Sequence, residues 1–237
     1  MATYNGERFV VEQMRSILAQ LGPSDEVVVA DDASTDRTVA LIGALADPRV
    51  ILMQQPTNRG VIPTFEAALR RVRGRFVFLA DQDDLWLPGK VQTLMQALQA
   101  RPSALLALSD ARVIDESGQV VHGSFMDLRG GFRPGLGANL VRNRYLGCTM
   151  LLRRELLHRA LPIPGAVPMH DIWLGWMAAT VAQVVYVPQP LMLYRRHDAN
   201  ASPMRPQPLG RMLAWRVRLL TAVLGRMAAL LRGGAQA

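Results

Sequence analysis

Lysine and cysteine are nearly missing from this chain: each occurs once, as Lys90 and Cys148. A single cysteine excludes an internal disulfide and a cysteine-built zinc site, and it suits a reducing, cytoplasmic setting. Histidine is scarce too, with 4 in 237 residues, which argues against a histidine zinc cluster. No run of about 20 uninterrupted apolar residues is present, so no transmembrane helix is expected. The opening Met1-Ala2-Thr3-Tyr4-Asn5-Gly6 has no basic and apolar leader, and no signal peptide is expected from it. Internal repeats and low-complexity tracts are also lacking. What remains is a 26.1 kDa chain, 50% hydrophobic and 19% charged, long enough to bury a full core as one domain of α/β size.

With lysine so rare, the formal charge of +8 and the pI near 10.8 come almost wholly from arginine. Guanidinium groups suit bidentate phosphate contacts, and a basic surface attracts diphosphates, anionic membranes or nucleic acid. The arginines are dispersed while the apparent pocket is acidic, so no nucleic-acid partner is expected.

That pocket is marked by Phe78-Leu79-Ala80-Asp81-Gln82-Asp83-Asp84-Leu85-Trp86. An apolar strand from Arg75 to Ala80 runs into carboxylates that repel one another unless a cation lies among them. Helical spacing follows from Pro88 to Ala100, which puts the acids at the carboxyl edge of a sheet, where open α/β folds bind ligands. Asp81 and Asp83 can both turn toward one pocket, and hard oxygen donors suit Mg²⁺ or Mn²⁺. A solvated acidic turn that caps the helix is the plainer alternative for this motif alone.

Strands and helices alternate along the first half. Glu7 to Gln20 has helical spacing, Glu26 to Ala30 reads as a strand, and Ser34 or Thr35 is placed to cap a helix from Arg37 to Ala46. A strand at Val50 to Gln54, a helix from Pro63 to Val72 and the strand before Asp81 complete a βαβαβ pattern, hence a mainly parallel sheet with right-handed crossovers. The second half is less regular. Ala104 to Ile114 and Gly147 to Leu152 read as strands, Gly123 to Asn139 as a glycine-rich loop beside an acceptor opening, and Asp171 to Val181 as a helix. Val184 to Val187 and Leu191 to Tyr194 read as two short strands separated by prolines.

Six motifs in order carry a resemblance: Ala2-Thr3-Tyr4-Asn5-Gly6-Glu7, Asp31-Asp32-Ala33-Ser34-Thr35-Asp36, Asn58-Arg59-Gly60, Asp81-Gln82-Asp83-Asp84-Leu85-Trp86, His170-Asp171-Ile172-Trp173 and Tyr194-Arg195-Arg196-His197. Their combination resembles the family 2 glycosyltransferases of the GT-A fold, an α/β nucleotide-sugar fold, over residues 1–200. The Asp-Gln-Asp-Asp-Leu-Trp form looks most like bacterial rhamnosyltransferases of surface-polysaccharide synthesis. The resemblance implies an inverting, metal-dependent transfer of a sugar, L-rhamnose in that branch, from a nucleoside diphosphate to a saccharide or lipid-linked saccharide.

It also implies roles. Thr3 and Tyr4 would hold the nucleotide base, and Asp32 would accept the N3–H of uracil or thymine, which fits dTDP- and UDP-sugars equally. Asp81 would touch the ribose or help position the metal shell, Asp83 would ligate the Mg or Mn ion directly, and His197 would complete the metal or diphosphate site. Arg195 and Arg196 would neutralise the leaving diphosphate. Asp171, at a helix start where an ionised acid is favoured, would be the general base. Helix capping is the other role open to Asp31, Asp32 and Asp171, and Asp36 reads only as a first-turn acid. Cys148 reads as a small buried residue rather than a nucleophile.

Two features stand apart. A helix over 208–232 carries Leu213, Val217, Leu220, Leu224, Met227 and Leu231 on one stripe, with Arg211, Arg218, Arg226 and Arg232 opposite. Such a helix either lies on the anionic inner face of the cell membrane, as a peripheral contact, or packs its stripe on the catalytic domain or a second subunit. At the other end, family members usually carry β-branched residues ahead of the Ala-Thr-Tyr-Asn sequence, as the first, central strand. The first strand here is therefore expected to be cut short, through either an upstream start or a lost strand, with weaker contacts at Thr3 and Tyr4. A non-catalytic glycosyltransferase-like subunit of a polysaccharide assembly complex is the alternative this leaves open.

Overall fold

The protein is described here over residues 1–197 and 209–234 of a computed structural model. The first part of the chain lays down β1 (Ala2–Thr3), α1 (Val10–Leu18), β2 (Val27–Asp31), α2 (Thr38–Gly43), β3 (Val50–Gln54) and α3 (Val61–Arg71). The three strands form a parallel sheet in the order β1-β2-β3, with Ala2 beside Ala30 and Val27 beside Val50. β2 is buried along its whole length because both faces are covered. Val27 and Val29 face the apolar side of α1 at Val10, Met14 and Ile17, while Val28 and Ala30 meet Ala68 of α3. A strand enclosed in this way reads as a continuous apolar run rather than an alternation.

There follow β4 (Phe76–Phe78), β5 (Leu85–Trp86), α4 (Lys90–Gln99), β6 (Ala104–Ile114), β7 (Val120–His122), α5 (Phe125–Leu128) and α6 (Leu136–Val141). After a 3₁₀ turn at Gly147–Thr149 come β8 (Met150–Arg153), α7 (Glu155–Ala160), α8 (His170–Val181), β9 (Gln183–Arg195) and α9 (Leu209–Gly234). The second sheet runs β4-β8-β6-β9-β5, with β7 on β6, and is mixed: β6 and β9 are parallel, the other pairs antiparallel. The mainly parallel sheet expected from the sequence thus holds for β1, β2 and β3 alone. β4 enters the second sheet, where β8 runs antiparallel to both β4 and β6, and β9, reached through α7 and α8, returns parallel to β6.

Local differences have local causes. The strand expected to break at its prolines is one element, β9, and Pro188 and Pro190 sit where its pairing with β6 shifts register near Ser109 and Asp110. A residue without an N–H is tolerated at such an irregularity. The glycine-rich stretch contains two short helices, the first capped by Ser124 Oγ, which accepts the Asp127 N–H at 2.9 Å. The cap ahead of α2 is Asp36, not Ser34 or Thr35: its carboxylate accepts the Thr38 N–H at 2.9 Å and the Glu7 N–H at 3.1 Å.

The largest core cluster centres on β6, β8 and α8, where Trp173 and Trp176 are fully buried. α9 docks on this core through Leu219 and Val223, a face rotated partway from the stripe expected from the sequence, of which Leu220 and Met227 still pack on the core. Leu213, Val217, Leu224 and Leu231 are 52–73% exposed instead. Arg226 explains the rotation. Its guanidinium turns inward over the Trp173 ring and donates to the carbonyls of Arg159, Leu161 and Pro162, in the last turn of α7 and just beyond it. Orphan carbonyls at a helix end attract such a cation. The side chain of Arg211 and the boundary at residue 200 lie outside the described parts. Among the described residues no helix is long and apolar enough to cross a membrane.

Candidate active site

The carboxyl ends of β1, β2 and β4 meet at one edge, and the amino end of α8 faces them. Between them lies a cavity of about 400 Å³ lined by Thr3, Tyr4, Asp32, Asp81, Asp83 and Asp171 among the predicted site residues. Asn58, Gly60, Gln82, Gly147, His170 and Tyr194 complete much of its wall. Residues far apart in sequence are brought together because parallel strands deliver their carboxyl-end loops to the same side.

The first two motifs are stitched to each other. Asn5 N–H donates to Ser34 Oγ at 2.9 Å and Asn5 Oδ1 accepts the Thr35 N–H at 2.9 Å, while Gly6 N–H reaches Thr38 Oγ1 at 2.7 Å. Gln82 adds a clamp that the sequence did not suggest. Its side-chain amide pairs both ways with the Tyr4 backbone, each bond 2.9 Å, in the manner of an added strand residue. Gly6 permits this approach, since a Cβ there would lie 2.3 Å from Gln82 Oε1. The clamp fixes the Tyr4 backbone, while the residue as a whole is 46% exposed at the cavity.

Asp31 and Asp32 divide their work. Asp31 binds Thr3 Oγ1 at 2.8 Å and Ser34 Oγ at 2.6 Å and ties the loops together. Asp32, 3% exposed, accepts the N–H groups of Arg59 and Gly60, each at 2.8 Å, just before α3 begins. These bonds lock the Asn58-Arg59-Gly60 segment against β2. Gln55 Nε2 adds a longer bond at 3.4 Å, and since a carboxylate has about four acceptor sites, acceptor capacity remains on a residue that lines the cavity.

The acid loop is crowded. Burial, then Asp83 and Asp171, push Asp81 up to about 7, and burial with Asp83 and Asp81 pushes Asp84 well above the carboxylate range. Asp84 is 1% exposed, and its Oδ2 has no hydrogen-bond partner. The lone lysine is built into this cluster. Lys90 is fully buried, donates to the Cys148 carbonyl at 2.5 Å, sits 4.4 Å from the Trp86 ring centroid, and is lowered to about 8 by burial. One ammonium faces several carboxylates, so negative charge remains unbalanced.

A stability prediction follows from the sign of these shifts. Asp81 is held above its unfolded value, so the folded state binds its proton more tightly, and this group's penalty grows as pH rises from about 4 to about 7. In metal-free protein, Asp81→Asn is expected to raise Tm by about 5 °C at pH 8, the gain fading as pH falls toward about 4. Thermal melts in chelator across that range check it. A variant no more stable than the wild type at pH 8 would contradict the reading.

The predicted metal ligands lie together: His197 Nε2 is 2.8 Å from Asp83 Oδ2. Asp81, Asp84 and Cys148 form an adjoining cluster with one potential ligand atom each within 4.8 Å of the others. Burial raises the Cys148 thiol well above its ordinary value, which keeps it protonated and a poor ligand. The usable donors are therefore carboxylate oxygens with one imidazole, a set that fits Mg²⁺ or Mn²⁺. The orphaned Asp84 oxygen and the raised acids suit a bound cation as well.

Arg195 is occupied elsewhere. Its side chain is 5% exposed, its Nε donates to the Asp83 carbonyl at 2.9 Å, its terminal nitrogens reach Glu116 and Glu12, and its N–H binds Asp84 Oδ1 at 3.0 Å. It braces the acid loop from behind. Arg196 donates to Tyr194 Oη at 2.8 Å, beside the cavity wall.

Opposite the acid loop, Asp171 stands in the first turn of α8. Its Oδ2 accepts the Gly147 N–H at 3.1 Å, and burial raises it to about 6 despite bonds from Ile172 and Gly147. Gly147 is needed for closeness: a Cβ there would lie 3.1 Å from Asp171 Cβ and 3.2 Å from His170 Nε2. His170 stacks on Phe65 with centroids 3.8 Å apart, and burial lowers it to about 3, so it is neutral. Both its ring nitrogens are buried without a partner in the wall of the cavity.

An α/β sheet with an acid loop at its carboxyl edge and a helix-borne carboxylate across a cavity is the layout of the GT-A class of glycosyltransferase fold. The chain belongs to glycosyl transferase family 2, whose profile matches residues 1–161. It is 35% identical over 119 residues to the succinoglycan biosynthesis protein ExoO of Rhizobium meliloti, covering 50% of this chain and 34% of ExoO. It is 27% identical over 99 residues to the Escherichia coli UDP-Glc:alpha-D-GlcNAc-diphosphoundecaprenol beta-1,3-glucosyltransferase WfaP, covering 42% of this chain and 39% of WfaP. The chain thus spans less than half the length of these two relatives. Among solved structures, S. aureus TarS with UDP-GlcNAc superposes with a TM-score of 0.68 at 20% identity, over 95% of this chain and 70% of that one. The Pyrobaculum calidifontis mannosyltransferase PcManGT with GDP-Man and Mn²⁺ gives 0.63 at 24%, over 98% and 62%. At these identities the two structures bear on the fold alone.

Proposed function

We propose that this chain is an inverting glycosyltransferase of polysaccharide synthesis, with Asp171 as general base. A single observation carries the reading: Asp171, raised to about 6 yet ionised at neutral pH, faces the same cavity as the acid loop. Asp171 takes the proton of an acceptor hydroxyl while that oxygen bonds to the anomeric carbon from the side opposite the diphosphate. The bond from that carbon to the diphosphate oxygen breaks, and the nucleoside diphosphate leaves with the electron pair. One displacement gives inversion. His170, neutral and with both ring nitrogens unpartnered, hydrogen-bonds a sugar hydroxyl. Asp83 and His197, with Asp81 nearby, would hold the Mg²⁺ or Mn²⁺, which supplies positive charge for the diphosphate. The diphosphate contact we assign to Arg196, since the donors of Arg195 are committed behind the loop.

The donor we infer is a pyrimidine nucleoside diphosphate sugar, with Tyr4 against the base and Asp32 accepting its N3–H. The likeness to WfaP, a UDP-Glc-dependent glucosyltransferase by name, favours UDP, and the Asp-Gln-Asp-Asp-Leu-Trp motif favours rhamnose on dTDP. A saccharide or a lipid-linked saccharide is the acceptor. The outer face of α9, with Leu213, Val217, Leu224 and Leu231 beside exposed Arg218 and Arg232, suits contact with an anionic inner membrane where a lipid-linked acceptor lies.

Thermal melts with UDP, dTDP and GDP, each with and without Mn²⁺, test the donor site. A pyrimidine diphosphate with metal is expected to raise Tm by about 5 °C, equivalent to roughly 100 Kd of ligand or more, with either component alone nearly silent. Equal shifts with GDP would overturn the pyrimidine assignment. No shift with any nucleotide would favour a non-catalytic relative.

A further inference from the structure

Beside Asp171 the protein holds positive charge that the transfer chemistry leaves unused. Arg129 follows α5 and Arg142 follows α6, and both are exposed. Among the described residues neither makes an ion pair. A third arginine holds their two arms together. Arg144 is 6% exposed; its Nε donates to the Gly131 carbonyl at 2.7 Å, and its Nη1 to the carbonyls of Ala138 and Arg142 at 2.8 and 2.9 Å. One buried guanidinium thus staples the turn after α5 to the end of α6.

That turn is tight. Gly130 and Gly131 both have a φ of 77°, where glycine is favoured, and their N–H groups close onto the Asp127 and Met126 carbonyls at 3.0 and 2.9 Å. Arg142 lies against it, with Nη1 3.8 Å from where a Gly130 Cβ would stand. Arg129 sits over the Phe125 ring at 5.2 Å, Phe125 meets Tyr194 edge-on at 5.8 Å, and Arg196 sits over Tyr194 at 5.5 Å. Tyr194 in turn lines the active cavity. Enclosure of its guanidinium, then Arg142 and Arg196, lowers Arg129 below the ordinary arginine value, while Tyr194 and Asp171 oppose them. Asp171 feels Arg129 in return. Arg129 therefore stands on the base's side of the cavity, where an acceptor hydroxyl would approach.

Holding guanidinium groups together without a carboxylate costs free energy that a bound anion offsets. A carboxylate balances one such charge, whereas a phosphoryl or diphosphate group has the charge and the oxygens to bridge two. We propose that Arg129 and Arg142 form an anion site for a phosphoryl group on the acceptor side, carried by a diphosphate-linked saccharide or by free diphosphate. Anion binding follows from the arginines alone, while its place in the acceptor rests on the transferase reading of Asp171.

Calorimetry on the full chain tests it, with the donor site filled by UDP or dTDP and excess Mn²⁺. Farnesyl diphosphate, inorganic pyrophosphate and glucuronate are titrated into the wild type and the double variant Arg129→Gln/Arg142→Gln. Farnesyl diphosphate is expected to bind the variant about 100-fold more weakly, through the loss of two charge-assisted contacts, with nucleotide stabilisation unchanged. Without ligand the variant should melt no lower than the wild type, because repulsion between the arginines is relieved. Binding of farnesyl diphosphate about tenfold tighter than pyrophosphate supports a lipid-linked acceptor, and equal binding, lost in the variant, supports free diphosphate. Undiminished binding in the variant would overturn the site. So would glucuronate binding as tightly as the diphosphates, or a matching loss of nucleotide binding, which would put both arginines on the donor. If neither nucleotide stabilises the wild type, the transferase reading fails separately, and the same titrations without nucleotide decide the anion site.

Discussion

Replacing Asp171 by Asn is expected to lower kcat/KM for sugar transfer by about 10³-fold while the protein stays folded and binds its donor nearly as before. The amide keeps the shape and the oxygen that accepts the Gly147 N–H, so the amino end of α8 stays in place. What it loses is the ability to accept the hydroxyl proton. The pH profile separates this from a structural defect. Burial raises Asp171 to about 6, so wild-type kcat/KM should fall tenfold per unit below that pH as the carboxylate takes its proton. In the variant this acid limb should flatten. A variant within about tenfold of wild-type activity, with the limb intact, would mean that another group is the base.

Asp83→Ala is expected to abolish the metal-dependent part of nucleotide stabilisation and to lower turnover by about 10³-fold. Asp83 reaches His197 Nε2 at 2.8 Å, and its backbone carbonyl, kept in the variant, accepts from Arg195. The loop should therefore hold while the donor set loses its cavity-facing carboxylate. Titration of Mn²⁺ into the wild type and the variant, followed by melts with UDP or dTDP, reads the difference directly. Undiminished metal dependence in Asp83→Ala would shift the cation to the neighbouring pair Asp81 and Asp84, which a matching Asp84→Asn variant would then expose.

Much of the site was legible because its residues are grouped in short motifs at strand ends. Thr3, Tyr4, Asp32, Asp81, Asp83 and Asp171 each stand in such a motif, and they line one cavity. Gln82 and Lys90 show what escapes such a reading. The amide of Gln82 has meaning only once Tyr4 is 2.9 Å away across a gap of 78 positions. Nothing around Lys90 in sequence marks it as buried, yet it lies fully buried beside Asp81 and Asp84. Arg195 is the converse: a basic motif suggested a phosphate contact, and three-dimensional packing turned its guanidinium to Asp83, Glu116 and Glu12.

By itself the sequence determined the βαβαβ first half, the acid loop at its carboxyl edge and the helical C-terminus. Those depend on period and on local chemistry, which neighbours in sequence carry. Only the tertiary structure decided the mixed second sheet, the inward turn of Arg226 that rotates α9, and the raised proton affinities of Asp81, Asp84 and Asp171. Each of these is set by what lies across space. An orphan carbonyl or a second carboxylate changes the energy of a group only when folding brings it within a few ångströms.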